Sequence, residues 1–181
     1  MRSKVFVAAL FFLSCTRAGD DGGGVDAGAF DKGALLRSLG ECALSTYREY
    51  HAAAVELDGA SRRAESEGTP AARDAARDAW KKAIDAWQRA EIFKLGPAAL
   101  HAIPGGKDMR DAIYAWPLVN RCTIEEQIVS QAYDAALGDA LVSSRGLGAA
   151  EYLLFYDGVD NACPPTSAIN AAGQWAALGA P

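Results

Sequence analysis

The sequence is poor in the residue types that build catalytic and metal sites. Its 181 residues include two histidines, two methionines and four cysteines. It contains no HExxH, no G-x-S-x-G, no glycine-rich phosphate loop and no C-x-x-C pair. The zincin, serine-hydrolase, nucleotide-binding and zinc-ribbon signatures are therefore absent. The formal net charge is −5 and no basic block occurs, so nucleic acid is excluded as an expected partner.

Alanine and helical periodicity dominate what is present. The chain has 38 alanines and is 50% hydrophobic, and alanine is the strongest helix former. Apolar residues from Phe30 to Leu57 recur at spacings of three and four, which predicts an amphipathic helix that ends at Asp58-Gly59. Thr69-Pro70 is typical of a second helix start. No period-two alternation is sustained, so we expect an all-α, up-and-down helical bundle.

The second half of the chain is predicted to hold shorter helices after a long connection. Residues 96–117 contain Gly96-Pro97, Pro104-Gly105-Gly106 and Trp116-Pro117, and a loop of this length is functional or packed by its own side chains. Thr123 to Glu126 resembles a capping box that opens a helix reaching Leu137. Two further helices are expected, Arg145 to Phe155 and Ile169 to Leu178, with Ser167 capping the second.

The N-terminus has the pattern of an export signal. Residues 1–14 combine Arg2 and Lys4 with a nine-residue apolar run that is too short to cross a bilayer. Ser14 precedes Cys15, as in the lipobox of a bacterial lipoprotein, so we expect lipid attachment at Cys15 and an outer-membrane anchor. An ordinary secretory signal with a chance cysteine is the alternative. Residues 15–28 are expected to form a flexible tether, and 29–181 the helical bundle.

The remaining cysteines fit an oxidising compartment. Cys122 and Cys163 both lie near turn signals, so a Cys122–Cys163 disulfide is favoured. The odd count leaves Cys42, on an apolar helical face, as a small buried hydrophobic residue.

One segment carries a family resemblance. Residues 145–155, RGLGAAEYLLF, resemble the imelysin signature Gly-x-His-x-x-Glu followed by an aromatic residue and two leucines. Trp80 and Trp87, a heptad apart, and Ala115-Trp116-Pro117 lie upstream in the order that the family shows. The resemblance covers the N-terminal half of a typical member, which is built from two related bundles.

The resemblance implies an exported, often lipid-anchored helical protein of the Gram-negative envelope, facing the periplasm or the surface. Members are linked to iron uptake, to metal binding and in some cases to proteolysis. This sequence departs from the pattern at two positions: Gly148 stands where the motif histidine belongs, and Tyr114 replaces an acidic residue. A histidine and a carboxylate three residues apart share one helical face, so the loss of the imidazole disfavours a family-type metal site.

Two carboxylates are candidates for a remaining metal or ligand site, Glu151 of the motif and Glu91 after Trp87. The alternative for Glu151 is a buried carboxylate paired with Arg145 or Arg89, because a lone buried charge needs a partner. Gly146 and Gly148 are costly inside a helix and indicate a close approach by another segment.

Neither of the two histidines belongs to a recognisable set of metal ligands. His51 is expected at the surface of the first helix, and His101 in the long connection.

We therefore expect a non-catalytic, imelysin-like lipoprotein that acts in iron or other metal acquisition, or in binding a periplasmic ligand or partner. A second imelysin-like protein or an iron-uptake component is the partner that the resemblance suggests, and a divalent metal or iron the cofactor. One alternative is a metal-dependent peptidase that uses Glu151. Another is a structural or interaction module, favoured if Leu100, Ile103 and Met109 fill a cleft around residues 96–117.

Overall fold

The computed structural model describes residues 30–179. The signal sequence, the lipidation site at Cys15 and the whole tether lie outside the described residues. The chain divides into two compact units, residues 1–42 and 43–181. Of the first unit, the described residues 30–42 hold the beginning of the first helix, and the later helices belong to the second unit. Within the described range no helix has the length and hydropathy of a membrane span.

Residues 30–179 form helices and connections with no strand, which confirms the all-α fold. The helices are α1 (Lys32–Glu67), α2 (Pro70–Glu91), α3 (Met109–Ile113), α4 (Arg121–Ser130), α5 (Tyr133–Ala136), α6 (Gly146–Phe155), α7 (Ala168–Ala171) and α8 (Gln174–Ala177). Short 3₁₀ turns occupy Gly96–Ala98, Leu137–Asp139 and Val142–Ser144.

The predicted end of the first helix at Asp58-Gly59 is wrong, because α1 continues to Glu67. A single glycine inside a helix costs about 1 kcal/mol relative to alanine. Burial beyond it offsets that cost: Ala60 is only 2% exposed, and Ala64 packs against the core. An exposed ion pair between Arg62 Nε and Asp58 Oδ2, 3.0 Å apart, spans the same turn.

The α1–α2 turn begins the second helix as the sequence indicates. Thr69 Oγ1 accepts a hydrogen bond of 3.2 Å from Ala72 N, and Pro70 is the first helical residue. Lys82 Nζ of α2 lies 2.6 Å from Glu56 Oε1 of α1, and the later residue Trp87 packs on the earlier residue Tyr50. The two helices therefore run antiparallel. Trp87 of α2 is fully buried and packs against Tyr47 and Tyr50 of α1.

Two later helices differ from their predicted bounds. The cap of α4 is Asn120, whose side chain accepts from Thr123 N at 3.2 Å, so Thr123 is not the cap. The helix stops at Ser130, where Gln131 adopts a left-handed backbone (φ 55°), and does not continue to Leu137. The predicted C-terminal helix is broken into α7 and α8 at Gly173, whose φ of 68° suits glycine.

The predicted disulfide is present. Cys122 and Cys163 are bonded to each other, which is the pairing that the sequence favours. Cys42 is only partly buried. The expectation that Cys42 is a buried hydrophobic residue is therefore wrong, because apolar periodicity along a helix does not fix how deeply each position is buried.

The connection at 96–117 contains the short helix α3 and two almost completely buried alanines, Ala99 and Ala115. Leu100, Ile103 and Met109 are 60%, 49% and 43% exposed. These three side chains do not fill a cleft, so the observation that favours a purely structural module is not found.

Candidate functional site

The motif helix α6 is held against α2 and α3 at its first residues. Gly146 has a φ of 72°, and a Cβ there would lie 2.5 Å from the Ile113 carbonyl oxygen. Both the backbone conformation and the close approach therefore require glycine. The next residue, Leu147, is buried, and its carbonyl accepts a hydrogen bond of 2.9 Å from Trp80 Nε1. These contacts fix the direction in which the motif face points.

Gly148 stands at the position of the motif histidine. The side chain of Val119 occupies the space beside it. Its backbone is not left-handed, so a side chain is conformationally allowed. An ideal Cβ at Gly148 would lie 2.5 Å from Val119 Cγ2, well inside the normal carbon–carbon contact of about 3.5–4.0 Å. A methyl group of Val119 therefore occupies the space through which an imidazole would leave the helix.

Glu151, the motif carboxylate, is half-buried one turn further along α6. Its hydrogen-bond partner is Tyr114, whose hydroxyl lies 3.4 Å from Glu151 Oε2. The predicted alternative partners, Arg145 and Arg89, do not pair with it. Arg145 donates to the Gly138 carbonyl, and Arg89 faces Glu49 at 3.7 Å.

The surroundings of Tyr114 shift the pKa of its hydroxyl group. Burial raises the pKa of its hydroxyl, and the negative charges of Glu151 and Glu91 raise it further. Tyr114 is thus a neutral hydrogen-bond donor beside Glu151.

Glu91, the second candidate carboxylate, belongs to a salt bridge. Arg110 of α3 approaches its Oε1 with Nε at 2.7 Å and Nη2 at 2.6 Å. Arg110 also binds Asp111 at 2.7 Å. Glu91 therefore anchors α3 to the end of α2 through its ion pair with Arg110.

An open groove of about 440 Å³ runs along the motif face of α6. It brings together Gly148, Glu151 and Val119 with aromatic side chains and with one cation, Arg121, that sequence reasoning did not single out. The groove is lined by Trp116, Pro117, Val119, Arg121, Gly148, Glu151, Tyr152, Phe155 and Tyr156. Trp116, which is 61% exposed, forms part of the groove and not of the core.

Arg121 forms the cationic side of the groove. Its guanidinium carbon lies 4.8 Å from the Tyr152 ring centroid and 4.5 Å from that of Tyr156, which is cation–π geometry. Among residues 30–179 it makes no ion pair with Glu151. The groove therefore presents one carboxylate and one guanidinium that do not neutralise each other directly.

Behind the groove lies a buried carboxylate, Glu125, that sequence reasoning did not single out. Glu125 is completely buried and accepts a hydrogen bond from Tyr152 at 2.5 Å. It also accepts from Ala162 N, at 3.0 and 2.8 Å to its two oxygens. These bonds tie α4 to the segment that carries Cys163. No local signal in the sequence marks its burial, because its partners Tyr152 and Ala162 lie far along the chain.

Within the described residues, one group of three side chains brings possible metal-ligand atoms within 4.8 Å of each other: Cys122, Glu125 and Cys163. Its two sulfurs are joined in the disulfide, and thiolates are what metals bind. The group includes neither Glu91 nor Glu151.

Both histidines are surface residues outside the groove. His51 is exposed. His101 lies in the 96–117 connection, where its Nδ1 is 2.8 Å from Asp108 Oδ2, and its hydrogen bonds lower the pKa of that carboxyl.

Comparison with known families agrees with the family resemblance. The family model for imelysin matches residues 43–178, and the chain belongs to the imelysin family. No curated protein and no solved structure matches the chain.

Proposed function

We propose that this imelysin-family chain is a non-catalytic binding protein of the bacterial envelope, held by a lipid at Cys15. Its binding site is the groove along α6. The groove binds an organic ligand or a segment of a partner protein, and it does not hold a catalytic metal ion. The protein would then act in iron or other metal acquisition by binding a partner. That partner would be, for example, a second imelysin-like protein that keeps the full motif.

The observation that carries this proposal is the contact between Gly148 and Val119. A transition-metal site in a protein needs three or more ligands of suitable chemistry. Here the imidazole is replaced by a hydrogen atom, its exit is closed by a methyl group, and the nearest polar neighbour of Glu151 is a tyrosine hydroxyl. Glu91 is held by Arg110 and is not free to supplement Glu151.

The aromatic lining of the groove supports ligand binding. Binding sites combine apolar and aromatic walls with a few polar groups that orient the ligand, and the lining here has Trp116 and Phe155 beside Glu151 and Arg121. The setting in the envelope, with an outer-membrane anchor, rests on residues 1–15, which lie outside the described part of the chain.

The proposal is tested by metal titration of the full chain with its disulfides intact, using iron(II), zinc and copper(II). The wild-type protein is expected to show no stoichiometric site tighter than micromolar. The double variant Val119→Ala with Gly148→His restores both the space and the imidazole. Its affinity for zinc is expected to rise at least about tenfold, because a neutral imidazole and Glu151 then share one face of α6.

Two controls make the result specific. Gly40→His adds an imidazole at a helix position with no atom within 4 Å of its Cβ, and it should not raise the affinity. Adding Glu151→Gln to the double variant should remove the gain. A nanomolar site in the wild type, metal-stimulated peptide hydrolysis by the wild type, or a double variant no better than Gly40→His would each overturn the proposal.

A further inference from the structure

A second cavity lies on the other side of α6, away from the motif face. It has a volume of about 410 Å³, within the range of about 300–1,000 Å³ typical of small-molecule sites. Its walls are apolar side chains of three segments: Ile124 and Ile128 from α4, Tyr133 and Leu137 from α5 and the following turn, and Ala150 and Leu153 from α6. None of its lining residues is acidic.

One cation stands at the wall of this cavity, Arg145. Its guanidinium makes no ion pair with any residue of the described range. Nη1 donates to the Gly138 carbonyl, but Nε is buried and has no hydrogen-bond partner. That nitrogen faces away from the open space, so the donor available to a ligand is Nη2, which has no hydrogen-bond partner among the described residues and is not one of the buried atoms. Guanidinium N–H groups bind carboxylates through strong charge-assisted hydrogen bonds.

The N-terminus of α6 lies at the end of the cavity where Arg145 stands. Arg145 is the N-cap residue, and no side chain caps the first turn. Gly146, the first helical residue, also lines the cavity. A helix N-terminus favours negative charge, and here it reinforces the uncompensated guanidinium at one end of an apolar space.

We propose that this cavity binds an amphipathic carboxylate, a fatty acid of medium chain length. The carboxylate lies against Arg145 and the start of α6, and the hydrocarbon chain fills the space between α4, α5 and α6. Charge complementarity selects the anionic end, because the only charged lining residue is cationic. The site is distinct from the motif groove and does not depend on the function proposed for that groove.

The probes are decanoate and its uncharged analogue decanol, titrated calorimetrically into the full chain at neutral pH and below micelle formation. Decanoate is expected to bind at least about tenfold more tightly than decanol, since hydrogen bonds to charged groups are worth more than tenfold in affinity. Arg145→Gln should lower decanoate affinity to that of decanol. It should leave decanol affinity unchanged, which also shows that the cavity is intact.

A matched control is Arg63→Gln, which removes an exposed arginine of α1 and should change neither affinity. Ala150→Met fills the cavity and should weaken both ligands at least about tenfold, as expected when a packed side chain takes the ligand's volume. Equal affinities of the wild type for decanoate and decanol, an Arg145→Gln variant that keeps its decanoate affinity, or no binding of decanoate would overturn the inference.

Discussion

Replacing Gly148 with alanine adds one methyl group where α6 comes closest to Val119. That methyl would lie 2.5 Å from Val119 Cγ2, so one of the two groups must move by about 1 Å to reach a normal contact. Inserting a methyl into packed structure costs about 1–3 kcal/mol. Alanine is about 1 kcal/mol better than glycine inside a helix, so we expect Gly148→Ala to lower the free energy of unfolding by about 1 kcal/mol.

The effect of Gly148→Ala on the free energy of unfolding should change sign when Val119 is replaced by alanine. In a Val119→Ala background the Cγ2 atom is gone, and the nearest remaining atom, Val119 Cβ, is 3.8 Å from the new methyl. Only the helix preference then remains, so Gly148→Ala should raise the free energy of unfolding by about 0.5–1 kcal/mol. The coupling between the two sites is thus about 2 kcal/mol, which a double-mutant cycle resolves.

The cycle is measured by urea unfolding of the full chain with its disulfides intact. Gly40→Ala is the matched control, because its Cβ would meet no atom within 4 Å, and it should be stabilising in both backgrounds. If Gly148→Ala stabilises the wild-type protein as much as the Val119→Ala protein, Val119 does not fill the histidine position, and this explanation of the altered motif fails.

Two further predictions concern buried polar groups. Glu125→Gln should lower the free energy of unfolding by about 1–3 kcal/mol, because an amide nitrogen would face the Ala162 N–H; unchanged urea unfolding would contradict this. Burial raises the pKa of Tyr50 to about 12, and in the unfolded chain it ionises near 10. Stability should therefore fall as the pH rises from about 10 to 12, and this fall should be weaker in Tyr50→Phe; urea unfolding across that range tests it.

The fold follows from sequence wherever local chemistry and burial agree. Thr69-Pro70 starts α2 because a cap and a preset proline act within one turn. Local signals fail where burial overrides them: α1 passes Gly59 because Ala60 beyond it is buried. Glu125 carries no local sign of burial in the sequence, but it is a buried acceptor for Tyr152 and Ala162, contacts that only the tertiary structure brings together.

The candidate site is only partly readable in the sequence. The loss of the imidazole at Gly148 is visible from the motif, and so is the presence of Glu151. The role of Val119 is not, since its methyl reaches Gly148 across nearly thirty residues of chain. The partner of Glu151 is likewise set by how α3 and α6 pack, which places Tyr114 beside it and leaves Arg145 at the opposite cavity.

The central claim is that the motif face of α6 does not hold a metal ion in this member of the imelysin family. The most direct measurement is an anomalous difference map from crystals of the wild-type chain soaked in zinc or iron(II). No anomalous peak is expected at Glu151. A fully occupied ion bound to Glu151 and two further protein side chains would contradict the claim.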